Sequence, residues 1–201
     1  GGAFIEFRDF AMTSSQELIA FGSYFVGNNE LIFVQKINQS SGVQISFNTI
    51  DPVYQDHFTY SIDIQNEEIL LYGLLLDFNI ERRGFVAVLD EGLNIKWSKE
   101  ISPFQKEGFA VISDDGFYCR SKEYHIKFDS DGEVLWSKFF TPDDEDLVPI
   151  GGPTRMSDGH IYEATVRGKN FFYKLNRQGD IIWKSVPVPR PSFFEKEGWL
   201  N

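Results

Sequence analysis

His125-Ile126-Lys127-Phe128-Asp129-Ser130-Asp131-Gly132-Glu133-Val134-Leu135-Trp136-Ser137-Lys138 reads as two alternating strands joined by a tight Asp/Gly turn, the second strand carrying a tryptophan. Alternation sends apolar and polar side chains to opposite faces of a strand, and Asp and Gly supply the turn that reverses the chain. The pattern recurs. Phe85 to Leu89 leads through Asp90-Glu91-Gly92 into Leu93 to Lys99 with Trp97. Phe172 to Leu175 leads through Asn176-Arg177-Gln178-Gly179 into Asp180 to Lys184 with Trp183. A looser copy surrounds Gly42, with Phe47 in place of the tryptophan.

With Gly42, Gly92, Gly132 and Gly179 as anchors, the aromatics are spaced by 50, 39 and 47 residues. Such periods belong to propeller blades or helical arrays, and the alternation selects the former. Each unit divides into four strands. They are Phe10–Thr13, Leu18–Val26, Leu31–Asn38 and Val43–Ile50 in the first unit, and Tyr60–Ile64, Ile69–Leu76, Gly84–Asp90 and Leu93–Ile101 in the second. The third has Phe109–Ser113, Gly116–Arg120, Tyr124–Asp129 and Glu133–Phe140. The fourth has Thr154–Met156, His160–Arg167, Asn170–Asn176 and Asp180–Val186. The expected fold is therefore all-β, a propeller-like array of about four four-stranded antiparallel blades. It forms one domain over 1–201, with units at about 10–50, 58–101, 108–140 and 153–188.

A flat ring on an outermost strand can cover the face between neighbouring blades, so Trp97, Trp136 and Trp183 are expected to be largely buried there. Stacking on a sugar or cofactor is the rival role. The tail Phe194 to Leu200 resembles Phe104 to Ala110, which leads into a first strand, so 189–201 reads as the start of a further blade. Ala3–Phe7 is a further apolar segment ahead of the first unit. Either the chain is part of a larger propeller, or these end segments pair and close the ring.

The repeated form, hydrophobic-Lys-Phe-Asp-x-x-Gly-x-hydrophobic-hydrophobic-Trp-Ser-Lys from Ile126 to Lys138, resembles the Trp-containing repeats of bacterial propellers, the quinoprotein-like repeats among them. The resemblance covers the last three units well and the first weakly. It implies a blade and no particular activity, since such families include assembly scaffolds, envelope proteins and quinone-dependent dehydrogenases. The dehydrogenases resemble a larger, eight-bladed ring with a calcium site. This chain is about half that length, so the quinone chemistry is not carried over.

Composition narrows the partners. Twenty Phe, 8 Tyr and 4 Trp suit strands. A formal charge of −11 argues against nucleic acid, whose phosphates call for clustered Lys and Arg. One cysteine excludes an intrachain disulfide framework and a multi-cysteine zinc site. No apolar run approaches the ~18–20 residues that span a bilayer as a helix.

Asp129, Asp131 and Glu133 have the alternating acidic spacing of a calcium loop but lack its downstream ligands, so a turn-forming role is preferred. Asp143, Asp144, Glu145 and Asp146 form the densest acidic run, between the third and fourth units. A solvated acidic loop is the preferred reading, with docking of a cation such as calcium, or of a basic partner surface, as the alternative. His57, His125 and His160 share no metal-binding spacing, no serine lies in a nucleophile-elbow context, and Gly151-Gly152-Pro153 lacks the Lys and helix of a phosphate loop. The expectation is a non-enzymatic module without cofactor or catalytic residues. It would present loops to a protein or glycan, and its open blade edges would self-associate. The alternative is a hydrolase or lyase using carboxylates at the channel mouth.

Overall fold

A computed structural model describes residues 4–26, 29–50, 56–76, 82–101, 108–120, 124–139, 147–149, 154–166 and 169–187. Among them every regular element is a strand, and no helix is long and apolar enough to cross a membrane. The strands form antiparallel sheets that follow one another along the chain. The first holds β1 (Phe4–Met12), β2 (Glu17–Val26), β3 (Asn29–Asn38) and β4 (Gln44–Ile50). The second holds β5 (Asp56–Gln65), β6 (Glu68–Leu76), β7 (Arg82–Leu89) and β8 (Ile95–Ile101). The third holds β9 (Phe109–Ser113), β10 (Gly116–Arg120), β11 (Tyr124–Phe128) and β12 (Val134–Phe139). In each, neighbouring strands pair in sequence order.

By its contacts the chain divides into two compact units, Gly1–Phe140 and Thr141–Asn201. In the first unit β5 touches β1 on one side and β9 on the other, so the first strands lie side by side while the sheets pack face to face. This is the propeller-like arrangement expected from the repeat. Ile19, Phe21, Ile32 and Val34 of the first sheet pack on Ile69, Leu71, Phe85, Ala87 and Leu89 of the second. The other face of the second sheet, with Leu70, Tyr72, Val86 and Val88, packs on Phe117, Cys119, Ile126 and Phe128 of the third. The second sheet is apolar on both faces because both are covered. Its β6 therefore reads as an unbroken apolar run, Ile-Leu-Leu-Tyr-Gly-Leu-Leu-Leu, where alternation is absent.

The second unit holds one sheet: β13 (Leu147–Pro149), β14 (Thr154–Met156), β15 (Gly159–Val166), β16 (Lys169–Asn176) and β17 (Ile181–Lys184). The short β13 and β14 pair with the same edge of β15, at Ala164 to Val166 and at Gly159 to Ile161. They stand together where a single first strand stands in the other sheets. The first strands of the first two sheets are interrupted more gently, by register shifts between Phe7 and Asp9 and between Thr59 and Ser61.

One expectation about the first unit is revised. Phe4 to Phe7 is no separate segment but the first half of β1, paired with Gly22 to Phe25. The tail 189–201 and the acidic run Asp143, Asp144, Glu145 and Asp146 lie outside the described residues.

The hairpin that decides the fold repeats with one geometry in the second, third and fourth sheets, while in the first it is one residue longer, with Asn38 N–H donating to Val43 O at 2.9 Å and Gly42 N–H to Asn38 O at 2.8 Å. Asp129 N–H donates to Glu133 O at 2.9 Å and Gly132 N–H to Asp129 O at 3.2 Å. The equivalent pair in the second sheet is Asp90 N–H to Asn94 O at 2.9 Å and Leu93 N–H to Asp90 O at 3.0 Å. Leu93, not Gly92, therefore holds the anchor position. Its φ of 66° matches 68° at Gly42, 82° at Gly132 and 77° at Gly179. A left-handed leucine is costly, and it is kept because its side chain is buried in the core between the first two sheets. With Leu93 as anchor, each tryptophan lies four residues on. The register agrees, pairing Trp97 with Val88, Trp136 with Lys127 and Trp183 with Lys174, each next to a bulge. In the first sheet that place belongs to Ser46, opposite Lys36, so Phe47 is one residue out of register with the tryptophans and on the other face.

Candidate functional site

Asp129, Asp131 and Glu133, read as a weak calcium candidate, are not gathered around a point. Asp129 Oδ1 accepts the N–H groups of Asp131 at 2.9 Å and Glu133 at 2.8 Å, closing the turn on itself. The Glu133 carboxylate reaches out of the sheet to Lys99 Nζ of the second sheet at 2.8 Å. Asp90 and Asn176 cap their turns in the same way, through Asn94 N–H and Asp180 N–H, each at 2.8 Å. The Asn94 side-chain amide, helped by its backbone N–H, holds the Asp90 carboxyl below the usual aspartate range.

The tryptophans divide. Trp97 is half-buried across the joint between the second and third sheets. Its ring meets Phe117 edge-on at 5.3 Å and Phe128 at 5.7 Å, and its Nε1–H donates to Ser130 O at 3.1 Å. A Cβ on Gly132 would stand 2.7 Å from that ring, which explains a glycine there beyond its φ. Trp136 is half-buried against Tyr118 of its own sheet, with Lys138 Nζ 5.7 Å from its centroid. Trp183 is 41% exposed, against the expectation of burial.

The residues that join the sheets at their first strands escaped the sequence reading. Asp9 Oδ2 of β1 accepts Ile62 N–H of β5 at 3.1 Å. Ser61 Oγ, at the equivalent place on β5, accepts Ala110 N–H of β9 at 3.2 Å, and Asp63 Oδ2 accepts Ile112 N–H at 2.7 Å. Each strap fills an edge amide that no neighbouring strand of its own sheet can reach. The legible signal was a short polar residue inside an apolar first strand.

Between the hairpin tips of the first two sheets lies a cleft of about 90 Å³, lined by Met12, Thr13, Ile64, Gln65, Glu67 and Glu91 among others. Beside it the nearly buried Lys36 bridges Glu17 at 2.9 Å and Glu91 at 3.8 Å, and the Lys36 hydrogen bond holds the Glu17 carboxyl low. This volume is small against the ~300–1,000 Å³ of pockets that enclose organic ligands.

The densest buried polar chemistry is on the third sheet. Tyr118, Arg120, His125 and Lys127 share one face, opposite the apolar face of Phe117, Cys119, Ile126 and Phe128. The Tyr118 hydroxyl is hydrogen-bonded to His125 Nδ1, and Lys127 Nζ is paired with Asp115. Burial pushes the Tyr118 phenol and the Cys119 thiol above their usual ranges, so both stay protonated. Of the other histidines, His57 lies on β5 opposite Leu75, and His160 lies on β15 opposite Leu175. Among the described residues no three His, Cys, Asp or Glu side chains converge on a point.

No family model matches the sequence, and no curated protein sequence matches it. Solved structures do. Mutants of the Synechocystis apocarotenoid oxygenase superpose with TM-scores of 0.54 at 12% identity and 0.52 at 13% identity. A chimera of that oxygenase with RPE65 gives 0.52 at 13%, and the cobalt-substituted oxygenase gives 0.50 at 14%. In each case 94% of this chain and 51% of the other is covered, so the chain spans about half the length of the chains it matches. At this identity the likeness is one of fold. It narrows the quinoprotein-like reading to an all-β, propeller-like one.

It also corrects two expectations. The matched proteins are oxygenases, which overturns the reading of the chain as a non-enzymatic binding or scaffold module. One of them is a cobalt-substituted oxygenase, which overturns the reading of no cofactor. The sequence could not have shown either, because the likeness lies in strand order and packing while identity is only 12–14%.

Proposed function

We propose that the chain is part of an enzyme of the oxygenase type that acts on an apolar substrate such as an apocarotenoid, its sheets serving as framework. One observation carries this reading: the likeness to apocarotenoid oxygenase extends over 94% of the chain. The described residues supply framework rather than reacting groups. Their straps lock neighbouring first strands together, and preorganised geometry of that kind is what a reacting centre on a propeller axis would call for. The described side chains do not by themselves offer a metal a donor set, so no step is assigned to one.

The test is metal content and oxygen uptake. The chain is purified from cells grown with iron, or reconstituted with Co(II), and its metal is measured by mass spectrometry and visible absorption. Oxygen consumption is then followed with an apocarotenoid in detergent micelles. Stoichiometric metal together with substrate-dependent oxygen uptake is the expected result. A folded protein that holds neither metal under either condition and consumes no oxygen would overturn the reading.

A further inference from the structure

The pair Asp-Gly stands at three hairpin tips: Asp115-Gly116 between β9 and β10, Asp131-Gly132 between β11 and β12, and Asp158-Gly159 between β14 and β15. The pair carries a chemistry of its own. Glycine has no Cβ to obstruct an approach, so its amide nitrogen can close on the carboxyl carbon of the preceding aspartate. The reaction needs that carboxyl protonated and free to turn.

Two of the three carboxyls are clamped. Asp115 Oδ1 pairs with the buried Lys127 Nζ and accepts from Ser113 Oγ at 3.2 Å. Asp158 Oδ2 accepts from Lys174 Nζ at 2.7 Å, and that bond holds its carboxyl below the usual aspartate range. Charge-assisted bonds of this kind keep a carboxyl ionised and fixed in direction. Asp131 is exposed. Its backbone N–H donates to Asp129 Oδ1 at 2.9 Å, but among the described residues its carboxyl has neither a hydrogen bond nor an ion pair.

The same turn seats the joint between the second and third sheets. Trp97 lies over Gly132, its Nε1–H reaches Ser130 O, and Lys99 meets Glu133. Ser130, Gly132 and Glu133 flank Asp131 in sequence, so a change of backbone at 131 disturbs all three contacts.

We propose that Asp131-Gly132 is a site of spontaneous modification, where the turn rearranges to isoaspartate and thereby loosens the joint between the second and third sheets. The Gly132 nitrogen bonds to Asp131 Cγ, and the carboxyl hydroxyl leaves with the amide proton as water, giving a cyclic imide. Water then adds at the imide carbonyl that came from the main chain, and its bond to nitrogen breaks. The chain now runs through Cγ, and the free carboxyl stands on Cα. Water is the only co-reactant. The backbone gains a methylene, about 1.5 Å of extra chain. The turn has no slack for it, since even a Cβ on Gly132 would come within 2.7 Å of the Trp97 ring.

The full chain is warmed for weeks at mildly acidic pH, where part of the carboxyl is protonated, both folded and, as reference, unfolded in guanidinium. Trypsin releases Asp115 in peptide 107–120, Asp131 in 128–138 and Asp158 in 156–167. Isoaspartate in each is measured by chromatography with mass spectrometry. Relative to the unfolded reference, Asp131 isomerises faster than Asp115 and Asp158 by about tenfold or more, the factor imposed by first breaking a charge-assisted hydrogen bond. Calorimetry of the aged chain shows a lowered melting temperature. Asp131→Ser, a change at an exposed turn position, ages without that fall. Asp115 or Asp158 keeping pace with Asp131, or a folded chain with no isoaspartate at 131, overturns the proposal. So does an aged chain that carries isoaspartate at 131 and melts like fresh protein.

Discussion

Replacing Trp97 by alanine tests the joint between the second and third sheets most directly. A tryptophan offers about 150–250 Å². Half-burial removes roughly 100 Å² from water, or about 2.5 kcal/mol at ~25 cal/mol per Å². The bond from Nε1 to Ser130 O adds about 1 kcal/mol. The expected loss is thus about 3–4 kcal/mol, a fall of about 10 °C in melting temperature at ~2–4 °C per kcal/mol. Trp183→Ala removes a ring that is 41% exposed and so withdraws less of its surface from water, and the expected loss is smaller, about 1–2 kcal/mol. Both are read by calorimetry or chemical denaturation. Equal losses at the two positions would refute the argument, because burial of the ring between sheets would then not be what the tryptophan contributes.

Four further outcomes follow from the same geometry. Gly132→Ala forces a side chain into both a φ of 82° and the Trp97 ring and costs about 1–3 kcal/mol, whereas Gly92→Ala, outside the left-handed position, crowds only the exposed side chains of Asn94 and Asp90 and costs less, about 1 kcal/mol or below; denaturant titration separates them. Asp63→Ala strips the Ile112 amide of its acceptor and costs about 1–2 kcal/mol, while Asp63→Asn, which keeps an oxygen there, recovers most of it in the same assay. The Asp90 carboxyl is held low in the folded state, so the unfolded chain binds its proton first as pH falls. The contribution of Asp90 is present above the ordinary aspartate range and lost as pH drops through the folded value, so the melting-temperature gap between the unaltered chain and Asp90→Ala narrows in acid. Cys119, buried with its thiol pKa raised, reacts with a thiol reagent only as fast as the chain unfolds; rapid labelling of native protein would contradict its place in the core.

The four hairpins were legible because alternation and Asp/Gly turns are local signals, and strands such as Phe109–Ser113 and Gly116–Arg120 fall where the pattern puts them. The slip of one residue at Gly92 shows where locality ends. Gly-Leu and Leu-Gly satisfy the same turn composition, and only burial of Leu93 beneath the first sheet decides which residue takes the left-handed conformation. Ser46 was missed for a related reason. A search for aromatics finds Phe47, but the register across the bulge assigns the tryptophan's place to its neighbour. The straps at Asp9, Ser61 and Asp63 were hidden because their partners lie about fifty residues away, on the next first strand. The oxygenase likeness was hidden more deeply, since it resides in topology that many sequences can adopt.

The straps also give the chain a direction. In every one of them the acceptor comes earlier in the sequence than the donor: Asp9 before Ile62, Ser61 before Ala110, Asp63 before Ile112. As the polypeptide leaves the ribosome, each sheet finds its predecessor already displaying the oxygen atoms on which it will settle. Assembly can then proceed in one sense, by accretion, with no sheet waiting for one not yet made. The amides of Ile62, Ala110 and Ile112 face out of their own ladders, so their deuterium uptake would time each docking event separately from the formation of the strands.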